Sequence, residues 1–134
     1  MRHYIYEYLT AAALFLAADF VWLRGMGPGF YAQELGDLLR EQPDLAVAAS
    51  FYLLFVAGLV VFVIHPAMAE QGWLAVTLKG AFFGLVAYAT YDLTNQATLK
   101  VWSSQISAID IAWGTAATAL ASGIAALAAR KFGA

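Results

Sequence analysis

Three aspartates carry the chemical interest of this chain: Asp19, Asp92 and Asp110. Each stands near one end of a long apolar segment. An ionised carboxylate so close to hydrocarbon is costly unless it meets a partner or serves a purpose. Asp92 lies in the densest polar stretch, Tyr91-Asp92-Leu93-Thr94-Asn95-Gln96-Ala97-Thr98-Leu99-Lys100. Carboxylates gathered in such a place can exchange protons or attract a cationic ligand. They can also tie helices together as ion pairs, here Asp19 with Arg24 and Asp92 with Lys100. Both kinds of role call for the same residue types.

The elements that must position these groups follow from composition. Of 134 residues, 63% are hydrophobic and 12% charged. A soluble domain carries about 25% charged residues, so a bilayer suits this chain better than water. The net charge is −2 without a basic run, which excludes nucleic acid as a natural partner. With no cysteine there is no disulfide, thiolate nucleophile or zinc–thiolate site. The first apolar run, roughly 20 residues, exceeds the usual core of a signal peptide and is expected to be a retained helix. No phosphate-binding glycine loop, spaced histidine pair or nucleophile elbow is present, and no metal or cofactor is expected.

A helix needs roughly 20 mostly apolar residues to cross a bilayer. Four segments qualify, at about 4–23, 45–64, 73–94 and 106–129. The expected fold is an all-α integral membrane four-helix bundle, one domain over 1–134. His65-Pro66 should stop the second span, and residues 66–72 should form a turn. Residues 100–105 should form another turn, with Ser103 or Ser104 capping the fourth helix. The long connection opens with Gly25-Met26-Gly27-Pro28-Gly29, which should break the first helix. Beyond it, Phe30, Tyr31, Leu35, Leu38 and Leu39 recur at helical spacing. That pattern predicts a short amphipathic helix between helices 1 and 2, on the membrane surface or across the bundle mouth.

Four spans place both termini on one face, side A, and the long connection on the other, side B. Parity then brings Asp19, Asp92 and Asp110 to similar depth near side B. Helical phase aligns Tyr8, Ala12, Phe15, Asp19 and Trp22 on the first span. On the third it aligns Gly80, Gly84, Tyr88, Tyr91, Asp92 and Asn95, and on the fourth Asp110, Gly114, Ala117, Thr118 and Ala121. The small residues admit close helix approach and permit a homodimer. The expected polar pocket has Asp19, Trp22, Tyr91, Asp92, Asn95, Lys100, Asp110 and Trp113 as candidate ligand contacts. Arg2, Arg130 and Lys131 give side A a slight excess of positive charge, which predicts cytoplasmic termini.

Two features carry less weight. His3, Glu7, His65, Glu70 and Lys79 gather toward side A without ligand-like spacing, and His65 reads as an ordinary helix end. Asp19-Phe20-Val21-Trp22 and Asp110-Ile111-Ala112-Trp113 share the form Asp-x-x-Trp, which is too short to establish a duplication and reads as a coincidence of similar environments.

The chain resembles a family of small bacterial membrane proteins, domain of unknown function 2177. The resemblance rests on Asp19-x-x-Trp22-Leu23, Phe30-Tyr31, the stretch from Tyr91 to Trp102, and Asp110-x-x-Trp113-Gly114. It covers essentially the whole chain and implies a four-span protein of the bacterial inner membrane. It implies no activity. The leading expectation is binding or translocation of a small or lipid-like ligand. An enzyme acting on lipid or isoprenoid chains by carboxylate acid–base chemistry is the second. A noncatalytic subunit of a membrane complex is the third.

Overall fold

The computed structural model describes residues 2–68 and 72–132, all as helices and their short connections. Helix α1 runs over Arg2–Met26 and passes through a wide π-helical turn, Gly27–Tyr31, into α2, Ala32–Leu35. A 3-10 turn, Gly36–Leu38, ends the run. Helix α3, Leu45–Leu59, passes through a second π-helical turn, Val60–Ile64, into α4, His65–Met68. Helices α5, Trp73–Thr98, and α6, Ser104–Phe132, complete the bundle. Four of these runs are long and apolar enough to cross a membrane. The chain is an all-α membrane protein.

Two expected breaks are absent. The Gly25–Gly29 stretch does not separate α1 from the short amphipathic helix; the backbone stays helical through it. Pro28 lacks an N–H and its ring crowds the preceding turn, and a π turn relieves both by widening the helix. Likewise, His65-Pro66 does not stop the second span, which continues to Met68 after its own π turn. The Tyr91–Lys100 stretch, expected as a polar end, is helical as far as Thr98. Asp44 caps α3 by accepting from the Val47 amide at 3.1 Å. Ser103 caps α6 by accepting from Ile106 N–H at 3.1 Å.

In a bilayer, helices gain little from leaving hydrocarbon for one another, so association rests on close packing and hydrogen bonds. The most intimate contact is antiparallel α5 against α6. A side chain on Gly80 would collide with Ser122, and one on Gly84 with the Gly114 carbonyl and Thr118. Gly114 in turn receives the Tyr88 ring. These small-residue faces are therefore occupied within the protomer and are not what a second copy would meet. Toward side A, Val56, Leu59, Ile64, Val76, Ala125 and Ala126 are buried together, and Glu7 is also fully buried. Toward side B, Phe15, Phe55, Ala117 and Ala121 form a smaller cluster beneath the polar groups. Large apolar side chains such as Leu54, Phe62, Phe82 and Leu120 point outward, as a lipid-facing surface requires.

Candidate functional site

The twin Asp-x-x-Trp motifs meet face to face. Antiparallel α1 and α6 bring Trp22 and Trp113 into a stack, with centroids 4.4 Å apart and planes within 5°. Each indole then reaches toward the other motif's aspartate. Trp113 Nε1 donates to Asp19 Oδ1 at 3.0 Å. Trp22 Nε1 donates to the Tyr31 hydroxyl at 3.1 Å, and that hydroxyl donates to Asp110 Oδ1 at 2.8 Å. The two copies of the motif therefore share one network. One direct link and one relayed link join the two copies.

Tyr31 enters this network through the π turn. In a regular α-helix, residues nine apart point to roughly opposite faces. The wider turn at Gly27–Tyr31 lets Tyr31 reach back to Trp22. The segment expected to lie across the bundle mouth contributes a side chain to the site itself.

The three aspartates differ sharply in company. Asp19 is buried and its second oxygen accepts from the Tyr52 hydroxyl, so both oxygens are served. Asp110 is half-buried, and Tyr31 is its donor. Asp92 is fully buried, and neither carboxyl oxygen has a hydrogen-bond partner among the described residues. The Asp110 carboxyl lies beside it within side-chain hydrogen-bonding range, but two ionised carboxylates are both acceptors and have no hydrogen to share. The backbone of Asp92 is nonetheless held firmly: Trp102 Nε1 donates to Ser107 Oγ at 3.2 Å, and Ser107 donates to the Asp92 carbonyl at 3.3 Å.

Two adjoining cavities surround these groups. The inner one, about 340 Å³, is lined by Asp19, Trp22, Leu23, Phe51, Tyr52, Ala87, Tyr88, Tyr91 and Asp110. The outer one, about 560 Å³, shares Leu23, Tyr91 and Asp110. It adds Asp92, Trp102, Ile106 and the 27–43 segment, including Tyr31, Arg40 and Glu41. Asp19, Trp22, Tyr91, Asp92 and Asp110 line one or both cavities, while Trp113 lines neither and joins them through its bond to Asp19 and its stack on Trp22. Asn95 is half-buried and lines neither cavity, and Lys100 is exposed beyond the end of α5. The expected pairs Asp19–Arg24 and Asp92–Lys100 do not form among the described residues.

Sequence reasoning passed over Tyr52 and undervalued Tyr31. Tyr52 is one hydroxyl in an otherwise apolar α3, and only the facing helix reveals its partner. It also misjudged His65, whose Nδ1 sits 3.0 Å from Oε2 of fully buried Glu7. The Tyr4 ring stacks on the imidazole, centroids 3.6 Å apart. Glu70 lies outside the described residues. Among the described residues, no group of three or more His, Asp or Glu side chains converges to hold a metal ion.

A family model described as predicted membrane protein, DUF2177, matches residues 4–127. The chain belongs to this family. The match spans both Asp-x-x-Trp motifs and the whole Tyr91–Lys100 stretch, so the site lies within the part of the chain the family model covers. No curated protein and no solved structure matches the chain.

Proposed function

We propose that this protein binds a small or lipid-like ligand in the paired cavities near side B. The observation that carries this is the contrast within the site: a fully buried, unpartnered Asp92 beside an aromatic-walled cleft. A polar group buried without a donor costs free energy, so packing alone gives no reason to retain one there. A mainly apolar cavity with a few convergent polar groups is the usual form of a small-molecule site. Leu23, Phe51 and Tyr91 line the inner cavity while remaining exposed, which suits entry from the lipid side. The close-packed aliphatic cluster of Val56, Leu59, Ile64 and Val76 supports binding over passage through one protomer; translocation would require a second copy. We place the protein in the bacterial inner membrane with both termini cytoplasmic and the site toward the opposite face. Arg2, Arg130 and Lys131 on side A support that orientation.

The test is thermal stability in detergent for the wild type and Asp92→Asn, with and without pooled native lipid and metabolite fractions. A fraction that raises the wild-type transition and leaves the variant unmoved supports the site. A variant that melts several degrees lower, with no fraction shifting the wild type, would make the aspartates structural and favour a role as a subunit of a larger complex. The second possibility is an enzyme acting on lipid chains, favoured by one observation: Asp92 and Asp110 line the same cavity, as a proton-exchanging pair must.

A further inference from the structure

The arrangement of donors and acceptors narrows the ligand class. Asp19 needs nothing, since Trp113 and Tyr52 serve both of its oxygens. Asp92 has two buried acceptor oxygens and no donor, and among the described residues Asp110 receives only the Tyr31 hydroxyl. The wall of the outer cavity carries Asp92, Asp110 and Glu41 against a single basic side chain, Arg40. Arg40 is exposed and makes no ion pair with any of them. The outer cavity therefore carries more acidic than basic side chains, and Asp92 has no N–H or O–H donor among the described residues.

A hydrated inorganic cation suits these walls poorly, because beside the carboxylates Leu23, Pro28, Leu35, Leu39 and Ile106 offer its water shell no hydrogen-bond acceptor. The adjoining aromatic surround of Trp22, Tyr52, Tyr88 and Tyr91 favours an organic ligand, whose apolar part can lie along the rings. A quaternary ammonium head would bring charge to the carboxylates but donates no hydrogen bond. An ammonium has three donors, enough for both oxygens of Asp92 and one more for Asp110.

We infer that the ligand carries a cationic head with N–H donors, a protonated primary amine in the simplest case, held between Asp92 and Asp110 with its apolar part along the aromatic cavity. This rests on the site being a ligand-binding site. The two claims can fail separately.

The experiment titrates the full chain in lipid nanodiscs with hexylamine, hexyltrimethylammonium and hexanol, using tryptophan fluorescence and calorimetry. Empty nanodiscs correct for partition into lipid. The expected result is that hexylamine binds roughly 10- to 100-fold more tightly than either of the others, the range one charge-assisted hydrogen bond provides. Asp92→Asn should remove that preference. Asp110→Asn should reduce it, and serves as the second variant if the first fails to fold. Equal affinity for hexylamine and hexyltrimethylammonium would overturn the donor requirement while leaving a cation site. Equal affinity for hexanol would overturn the role of charge while leaving a ligand site. If no probe binds above the empty-nanodisc baseline, the amine assignment is overturned, and the shift with pooled native fractions then decides whether the cavity binds anything else.

Discussion

Removing the carboxyl of Asp19 should cost far more stability than neutralising that of Asp92, although both are buried. Asp19→Ala strands the Trp113 N–H and the Tyr52 hydroxyl, which both converge on the same carboxyl. Hydrogen bonds to a charged group contribute about 1.5–3 kcal/mol each in soluble proteins. Within membranes the measured values are smaller, about 0.6 kcal/mol on average and up to about 1.7. Two bonds thus bracket the loss between about 1 and 6 kcal/mol. Asp19 lies at the interface end of its helix and is almost inaccessible to solvent, so a value near the middle, about 3 kcal/mol, is expected. Asp92→Asn removes no hydrogen bond that the Asp92 carboxylate accepts from a described residue. It also leaves one carboxyl where there were two and supplies an amide that can donate to Asp110. Its expected effect lies within about 0.5 kcal/mol of zero or is stabilising. Reversible unfolding in mixed detergent micelles, followed by tryptophan fluorescence, measures both. If Asp92→Asn destabilises as much as Asp19→Ala, then Asp92 has a structural partner after all, and the case for a ligand at that carboxyl fails with it.

The Glu7–His65 pair should respond asymmetrically: His65→Ala leaves a fully buried carboxyl without its donor and should cost about 2–4 kcal/mol in the same unfolding assay. Glu7→Gln leaves a partly exposed imidazole able to find water and should cost about 1 kcal/mol or less; equal costs would contradict the role of burial. Because the chain has no cysteine, single cysteines at positions 100 and 132 give a clean topology readout with membrane-impermeant thiol reagents in intact cells. Position 100 should label from outside and position 132 only after permeabilisation; the reverse pattern would invert the proposed orientation.

The small-residue surface of α5 was legible in the sequence, because Gly80 and Gly84 share a face whatever the neighbours are. That this face serves α6 rather than a second copy was not legible, since a glycine stripe does not name its partner. Two of the three prolines show the same limit. Pro28 and Pro66 announce disturbed helices, but local rules predict a break where the bundle holds a π turn instead. Both π turns lead into polar partners, Tyr31 for Asp110 and His65 for Glu7, and those contacts reward the wider geometry.

What the sequence by itself determined is the set of four segments long and apolar enough to cross a membrane, and the gathering of the three aspartates toward one end of the bundle. Hydropathy over some 20 residues is a local property, and parity does the rest. Tertiary structure alone decided which aspartate is satisfied and which is not. The donor that completes Asp19 comes from Trp113, 94 residues away. A hydrogen bond is made or missed within a few tenths of an ångström, and only the packed helices set distances that finely.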